Sequence, residues 1–547
     1  MVVLGFGGSG HDWSACVTDG QRLVALEEER SARKKYGIGA DLLEGLSRKA
    51  CLGAFGAGPG QVRHAVACEL VPRPYYFAYR DRATVINHHL AHAYSAFPAS
   101  GFAEAAVLVT DNSGSLVRGE RTGDGVREAE TMTFFTADRS GIRVLDKVCG
   151  EHRLDSGGTE SDYFLQPGVT DNSLGQFYRS ASITIGLQFL PPGARYPVSE
   201  DGKTMGLAPY GDERFVDDVR DLIGLVPGGG VRIDARRVTE TFAKLVASGT
   251  FEDRAALARA AQDVLEEALL HSARALRERT GAENLCIAGG VGLNSVANGR
   301  ILREAGFRRL FVVPAAGDNG ISLGCAYYGL HELDGVPMDE LPVLDNAYLG
   351  PEYPASMVEA ALAESGLRVE APDDLPAQVA RLLADGRLVG WFDGGSEFGP
   401  RALGHRSILA APFPAQVRDH LNDNVKFREW FRPYAPVVPV ERAGEYFDIG
   451  QPTPYMLIVT PVKTPDQVPA ATHVDGTARL QTLAQAQNPR LHATLTEFGS
   501  LTGCPVLINT SFNVAGQPIV ETPRDAVEAF ASMRLDYLVM GDLLVSK

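Results

Sequence analysis

Apolar and polar positions along the chain fall into two styles. Short strand-like apolar runs stand at 2–6 (VVLGF), 14–18, 22–26, 105–110 (AAVLVT) and 309–315 (RLFVVPA). Longer helical patterns rich in Ala, Leu and Glu separate them, the clearest over 253–279. Runs 14–18 and 22–26 meet at Asp19-Gly20, a hairpin signal. Three early strands with a glycine-rich turn after the first predict a strand–loop–strand opening of the phosphate-binding kind. Strands alternating with helices predict an α/β fold. Near 331–354 the periodicity lapses while proline and acidic residues accumulate, which predicts a linker and two domains, 1–345 and 346–547. After it come two amphipathic helices (355–366 and 374–385), a strand at 388–392, and sequence rich in Arg, Asn and Pro. No fixed-period repeat is present.

Composition narrows the class. The 547 residues carry 52 Lys+Arg against 68 Asp+Glu, a formal charge of −16, so duplex nucleic acid is not an expected partner. Seven scattered cysteines without a CxxC pair argue for a reducing compartment and against a disulfide scaffold or a cysteine zinc site. No apolar run reaches the ~18 residues of a membrane span. The opening MVVLGFGGSGHD lacks the features of a signal peptide, so a cytoplasmic location is expected.

Four groups of residues carry candidate chemistry. His88 and His92 in HHLAHA share one helix face a turn apart, which suits a metal ion. Asp111 and Asp318 follow apolar strands, and open α/β sheets gather ligands at the carboxyl ends of strands. Two His and two Asp suit iron, manganese or zinc with positions left for substrate. The alternative is that both aspartates cap the helices that follow them. Three glycine-bearing turns, GFGGSG (5–10), DNSG (111–114) and AGGVGLN (288–294), form the second group. Two phosphate loops and a later Gly-Gly for the adenosine face is the order of actin/hexokinase-like ATP folds, and no P-loop signature is present. Each could also be only a turn.

His11-Asp12 follows the first of these turns, where the imidazole could act as acid or base or could simply bond loop backbone. The fourth group is basic: Arg401, Arg406, Lys426, Arg428, Arg432 and Arg479, with Asn509, Ser511 and Asn513 as neutral donors. Such donors match phosphate, and a small phosphorylated ligand fits better than nucleic acid; surface ion pairing is the alternative.

HHLAHA (88–93), SLGQFYRSAS (173–182), GKTMGLAPYG (202–211), AGGVGLN (288–294), AAGDNG (315–320), EFGPRALGHRSILA (397–410), VKFREWFRPYAP (425–436), HVDGTARLQT (473–482) and NTSFNVAGQPIVETP (509–523) resemble, in order and over almost the whole chain, the NodU/CmcH carbamoyltransferases. The resemblance implies an actin/hexokinase-like (ASKHA) N-terminal domain, similar to threonylcarbamoyl-transfer proteins, and a YrdC-like α/β C-terminal domain. It implies an enzyme that moves the carbamoyl group of carbamoyl phosphate onto a hydroxyl of a small molecule, in antibiotic or nodulation-factor biosynthesis. ATP is a co-substrate, O-carbamoyladenylate the intermediate, and an internal chamber its route. By the same resemblance His88, His92, Asp111 and Asp318 are metal ligands, with iron(II) or another divalent metal expected and Mg a further candidate. His11 and Asp12 are catalytic, and Gly289, Gly290, Asn294 and Lys203 are nucleotide-binding. Arg401, Lys426, Arg432, Arg479, Asn509, Ser511 and Asn513 hold carbamoyl phosphate and the ATP phosphates. Three positions depart from the family pattern: Gly395 and Ala515, where basic residues are usual, and Asn112, where Gly is common.

Two other classes share parts of this pattern, a threonylcarbamoyl-type tRNA-modifying enzyme and a non-catalytic actin-like ATP-binding sensor. The acidic charge counts against the first. A hydrogenase-maturation carbamoyl carrier would bring CxxC pairs, which are absent. Acceptor loops are expected in 115–170 and 212–282, and the net charge would tolerate a cationic acceptor such as an aminosugar. A homodimer is the default expectation.

Overall fold

A computed structural model of the chain describes residues 1–117, 127–154, 168–192 and 197–547. They group into two units, Met1–Ala32 with Tyr36–Leu344 and Arg33–Lys35 with Asp345–Lys547.

The first unit rests on two mixed sheets of one plan. In the first sheet β1 (Val2–Gly7), β2 (Ser14–Thr18) and β3 (Leu23–Glu27) form an antiparallel meander. The strands β4 (Val62–Cys68) and β5 (Ala83–Ile86) extend it in parallel from the other side of β1. The second sheet repeats this. A meander of β6 (Glu104–Thr110), β8 (Arg127–Asp138) and β9 (Gly141–Leu154) carries β7 (Leu116–Val117) beside β8 and β10 (Gly168–Thr170) beside β9. Two ribbons follow in the chain, β11 (Gln188–Phe189) with β12 (Val198–Ser199) and β13 (Ile223–Leu225) with β14 (Val231–Ile233). Then β15 (Asn284–Ala288) pairs in parallel with β6, and β16 (Arg309–Val312) with β15. The orders β3-β2-β1-β4-β5 and β9-β8-β6-β15-β16 are therefore the same arrangement twice, as the actin/hexokinase-like class requires.

Local sequence explains most of these elements. All six residues of β1 are buried, and an unbroken apolar run is what a strand covered on both faces needs. At the first hairpin the Asp19 carboxylate accepts the backbone N–H groups of Gln21 and Arg22, each at 3.0 Å, which closes the turn. The run at 309–315 ends as a strand at Val312, because Pro314 has no N–H to donate to a ladder. The long helix spans Phe251–Thr280, capped by the Thr250 hydroxyl accepting the Asp253 N–H at 3.2 Å and stopped at Gly281.

The second unit is an eight-stranded mixed sheet: β17 (Arg368–Glu370), β18 (Val389–Phe392), β19 (Arg406–Ala410), β20 (Ala435–Pro439), β23 (Gln481–Leu483), β24 (Leu507–Ser511), β25 (Tyr537–Met540) and β26 (Leu543–Ser546), in the order β17-β26-β25-β18-β19-β24-β20-β23. A separate pair joins β21 (Val459–Pro461) to β22 (Thr477–Arg479). Alternation along β18 sends Trp391 into one apolar cluster with Leu491 and Phe498, and Phe392 into another with Ile408 and Phe530. Both faces of this sheet are therefore covered. The helices expected at 355–366 and 374–385 run over Ala355–Ala363 and Leu375–Ala384. Between Leu333 and Ala355 the only regular element is the short turn Met338–Glu340. Among the described residues no helix is long and apolar enough to cross a membrane.

Candidate functional site

His88 begins a helix, His88–Ser100, whose first turn is tied down from several directions. Asn87 caps it, its side-chain oxygen accepting the Leu90 N–H at 3.0 Å. The Asn87 amide donates in turn to Glu130 on β8 at 3.0 Å. Glu130 Oε1 also accepts the backbone N–H groups of His89 and Ser115, each at 3.1 Å, and Lys147 pairs with its other oxygen. One buried carboxylate thus locks the helix start to the loop that follows β6. His88 N–H reaches the Ser115 hydroxyl at 2.9 Å, and His89 turns away to Thr133. Burial drives His89 down to about 4, so this third histidine is neutral.

The i, i+4 spacing then places His88 and His92 edge to face, with ring centroids 4.8 Å apart. Because β15 pairs in parallel with both β6 and β16, the chain leaves those two strands on the same side, and Asp111 and Asp318 meet the imidazoles there. Asp111 Oδ2 lies 3.2 Å from His88 Nε2 and 3.3 Å from His92 Nε2, and Asp318 Oδ1 lies 3.5 Å from each. One ligand atom from each of the four falls within 4.8 Å of all the others.

The capping alternative is not realised. The turn Asp318–Gly320 has no side-chain cap, and among the described residues the next helix after Asp111 is capped by Ser173. Burial works against charge on Asp111 and Asp318, but the imidazoles beside them bring Asp111 down to about 2 and hold Asp318 well below the carboxylate range. His92 is fully buried with neither ring nitrogen in a hydrogen bond, its Nε2 facing two carboxylates without donor alignment. A cation between the four groups would satisfy all of them, so the donor set fits a divalent metal of the imidazole- and carboxylate-binding kind.

His11 and Asp12 stand after β1. His11 Nδ1 is 2.9 Å from Asp12 Oδ2, and the Asp12 N–H donates to the Tyr36 carbonyl at 2.9 Å. Asp12 and Tyr36 both hold left-handed backbone, with φ of 58° and 59°, a conformation that costs a non-glycine residue ~1–2 kcal/mol. Burial lowers the His11 pKa, but the Asp12 carboxylate, helped by Asp318, raises it to about 9.

The residues expected to bind nucleotide are dispersed in role. Gly289 has a φ of +90°, and a Cβ there would lie 2.2 Å from the Thr110 carbonyl oxygen, so only glycine lets this turn pack on the end of β6. A Cβ on Gly290 would come within 3.3 Å of Asp111 Oδ1, which places the turn beside the His/Asp cluster. Asn294 caps the helix Ser295–Glu304 through the Ala297 N–H at 3.0 Å, and its amide donates to Gln262 at 2.9 Å. Its side chain is thereby committed inward. Lys203 pairs with Glu200 at 2.6 Å. Asn112 N–H donates to its neighbour Asp111 at 2.7 Å.

In the second unit Lys426 ends a wide, π-type helical turn, Leu421–Lys426, and its ammonium donates to the Ser511 carbonyl at 2.8 Å and to the carbonyl and side-chain oxygens of Asn513 at 3.0 and 2.8 Å. Arg428 lies over the Tyr434 ring at 3.9 Å. Burial, then the neighbouring cations, pushes Lys426 and Arg479 well below their usual range and Arg401 to about 10. The Nε atoms of Arg401 and Arg479 are buried without a hydrogen bond. Among the described residues no carboxylate pairs with Arg401, Lys426, Arg428 or Arg479; Arg432 alone of the group has one, Glu429 at 3.5 Å. Lys426 is buried and Arg401, Arg428 and Arg479 are half-buried, so they are not surface ion pairs, and cations gathered without counter-ions are suited to an anion.

Arg406, grouped with these by composition, does something else. It is fully buried, lies 3.8 Å over the Phe392 ring and donates to the carbonyls of Asp393 and Gly394 at 2.6 and 3.1 Å, so it holds a loop in place. Asn509 gives its amide to Gln481 at 2.7 Å, and the Ser511 hydroxyl bonds Asn513 at 2.6 Å. At Gly395 a Cβ would lie 2.5 Å from the Gly350 carbonyl oxygen, so this backbone admits no side chain there. Ala515 is exposed.

Comparison with known proteins matches residues 75–327 to the carbamoyltransferase N-terminus and residues 380–547 to the carbamoyltransferase C-terminus. The nodulation protein NolO of Bradyrhizobium diazoefficiens is 34% identical over 84% of this chain and 79% of its own length. The chain belongs to the carbamoyltransferase family. Nodulation protein NolNO of Sinorhizobium fredii is 36% identical over 85% of this chain and 64% of that protein, and an uncharacterized Synechocystis protein is 33% identical over the whole chain and 96% of its own length. Among solved structures, full-length HypF in its phosphate- and nucleotide-bound form aligns over 60% of this chain and 56% of that one, with 13% identity and a TM-score of 0.39. A ROK-family glucokinase from Streptomyces griseus aligns over 60% and 98%, with 12% identity and a TM-score of 0.26.

In this carbamoyltransferase the His/Asp cluster lies in the N-terminal match and the cation cluster in the C-terminal one, while His11 and Asp12 precede both. Sequence reading missed Glu130, which the strand-like run ETMTFF of β8 buries and which no motif marks. Of the expected acceptor stretches, 118–126 and 155–167 lie outside the described residues. The other, 212–282, holds the helices Val216–Arg220, Ala235–Leu245 and Phe251–Thr280.

Proposed function

We propose that this carbamoyltransferase uses ATP to activate the carbamoyl group of carbamoyl phosphate as O-carbamoyladenylate, and passes it to a hydroxyl of a small-molecule acceptor. The observation that carries this reading is the cluster of buried Lys426 with half-buried Arg401, Arg428 and Arg479, none paired with a carboxylate among the described residues. It suits a ligand bearing several phosphates, whose negative charge supplies what the protein lacks.

In the first half-reaction carbamoyl phosphate, ATP and one water give O-carbamoyladenylate, phosphate and pyrophosphate. Arg401, Lys426, Arg432 and Arg479 hold the phosphoryl oxygens and stabilise the charge that gathers on the departing pyrophosphate. In the second half-reaction the acceptor oxygen attacks the carbamoyl carbon and AMP leaves. His11, with Nδ1 engaged by Asp12, presents Nε2 to take the hydroxyl proton. A divalent metal on His88, His92, Asp111 and Asp318, iron(II) or another, would supply a Lewis acid near the reacting groups.

Pyrophosphate release from purified, iron(II)-loaded protein given ATP and carbamoyl phosphate tests this. Release that needs both substrates, and is lost in Arg401→Ala, is the expected result. Absence of release with every acceptor in a panel of hydroxylated metabolites would overturn it.

A further inference from the structure

His88 and His92 differ in what stands behind them. Neither nitrogen of His92 is hydrogen-bonded, and while its Nε2 faces the carboxylates of Asp111 and Asp318, nothing polar holds its Nδ1 side. His88 Nδ1 faces the Cys68 sulfur at 3.5 Å, and the same sulfur is 3.6 Å from the Gly8 carbonyl oxygen. Cys68 is the last residue of β4 and fully buried. The parallel pairing of β4 with β1, in which Ala67 stands opposite Phe6, brings it to the start of the glycine-rich turn.

The proton count fixes the roles. A carbonyl oxygen can only accept and a thiol has one hydrogen, so both contacts are made only if S–H donates to Gly8 and the sulfur lone pair accepts from His88 Nδ1–H. Nε2 is then the ring atom left for the cluster, and it is the one 3.2 Å from Asp111. The assignment is the same whether Nε2 carries a proton or a metal. We propose that Cys68 is a positioning residue for the metal centre: its sulfur, anchored on Gly8, fixes the His88 ring and its Nδ1–H tautomer so that Nε2 is presented to the ion. The inference rests on the metal reading of the four-residue cluster. Outer partners of this kind alter metal affinity ~10–100-fold when removed.

The test is anaerobic titration of metal-free full-length protein with cobalt(II), followed by its visible d–d bands, for wild type, Cys68→Ser, Cys68→Ala and Cys68→Val. Serine keeps one donor and one acceptor, whereas valine fills the space without either. The expected result is ~10-fold or greater loss of cobalt affinity and altered bands in the Ala and Val variants, with Ser recovering most of the affinity. Melting temperatures of the metal-free proteins separate this from misfolding, because Val is expected to melt within a few degrees of wild type. Wild-type affinity and bands in both Ala and Val would overturn the role of Cys68 while leaving the metal centre intact. If wild type and His88→Ala bind cobalt equally weakly, the metal reading falls and the inference with it.

Discussion

Asp12 holds His11 through a 2.9 Å contact to Nδ1 from a backbone in the left-handed region, so the residue that sets the charge of the imidazole is itself held in strain. Strain of this sort persists where surrounding structure imposes it, here through the Asp12 N–H bond to Tyr36. The pair is arranged to favour imidazolium, which bears on the base role proposed for His11.

A base must be neutral to accept a proton. The His11 pKa is raised from 6.5 to about 9, so the active fraction is small at neutral pH and grows until the pH passes about 9. Carbamoyl transfer, measured as kcat/KM for the acceptor, should therefore rise with pH on a limb governed by this group. In Asp12→Asn the anion that raises the pKa is gone and the limb should move to lower pH. A limb that stays in place in Asp12→Asn would remove His11 from the base role. In stability the sign is opposite: the His11–Asp12 pair contributes fully below pH 6.5 and its contribution is lost as pH rises through about 9.

Glu130 accepts from Asn87, His89 and Ser115 and pairs with Lys147, so truncating it strands several donors at the start of the histidine helix. Glu130→Ala should lower stability by about 3 kcal/mol, and Glu130→Gln, which keeps an acceptor, by less. Denaturant midpoints check the order of the two. Metal content after dialysis should fall in parallel, because the same bonds place His88.

These examples show where the sequence was legible. The shared face of His88 and His92 follows from helical periodicity alone, and the hairpin at Asp19-Gly20 from turn chemistry, because both are settled within a few residues. The basic residues of the C-terminal unit were readable as a group by type, but not the exception. Arg406 has the same composition as its neighbours and differs only in facing Phe392 and the Asp393 carbonyl. The repeated sheet plan leaves no periodic trace, since the parallel pairing of β15 with β6 is made between segments far apart in the chain. Gly395 read as a missing cation, whereas the nearby Gly350 carbonyl explains why the position is bare.

Buried cations without counter-ions destabilise the fold that carries them until an anion arrives. Arg479 has depressed basicity from burial and from Arg401, Arg432 and Arg428, and its Nε has no partner. Arg479→Met should therefore raise the melting temperature of the ligand-free protein while abolishing pyrophosphate release, the trade expected where a site is built for function. Conversely, pyrophosphate should raise the melting temperature of wild type more than sulfate does, and that difference should vanish in Arg479→Met. An Arg479→Met protein less stable than wild type would mean that the arginine is held by partners other than a phosphorylated ligand.

Asp111 and Asp318 share the two imidazoles: burial and then Asp318 raise the Asp111 pKa, while the histidines lower both carboxylates. Filling the centre with a divalent cation replaces this internal repulsion by attraction. Mass action then stabilises the native state by about 2.7 kcal/mol when free metal is a hundredfold above Kd. Adding cobalt(II) to metal-free wild type should raise its unfolding midpoint accordingly, and chelator should reverse the gain. Asp318→Asn keeps the size of the side chain and an oxygen but removes one negative charge, so the metal-induced gain should shrink sharply. In the absence of metal the same substitution relieves the repulsion with Asp111 but forfeits the pairing with both histidines, so its midpoint should change less than the metal-induced gain does. If cobalt stabilises Asp318→Asn as much as wild type, the ion is held elsewhere and the four residues are a buried ion-pair network only.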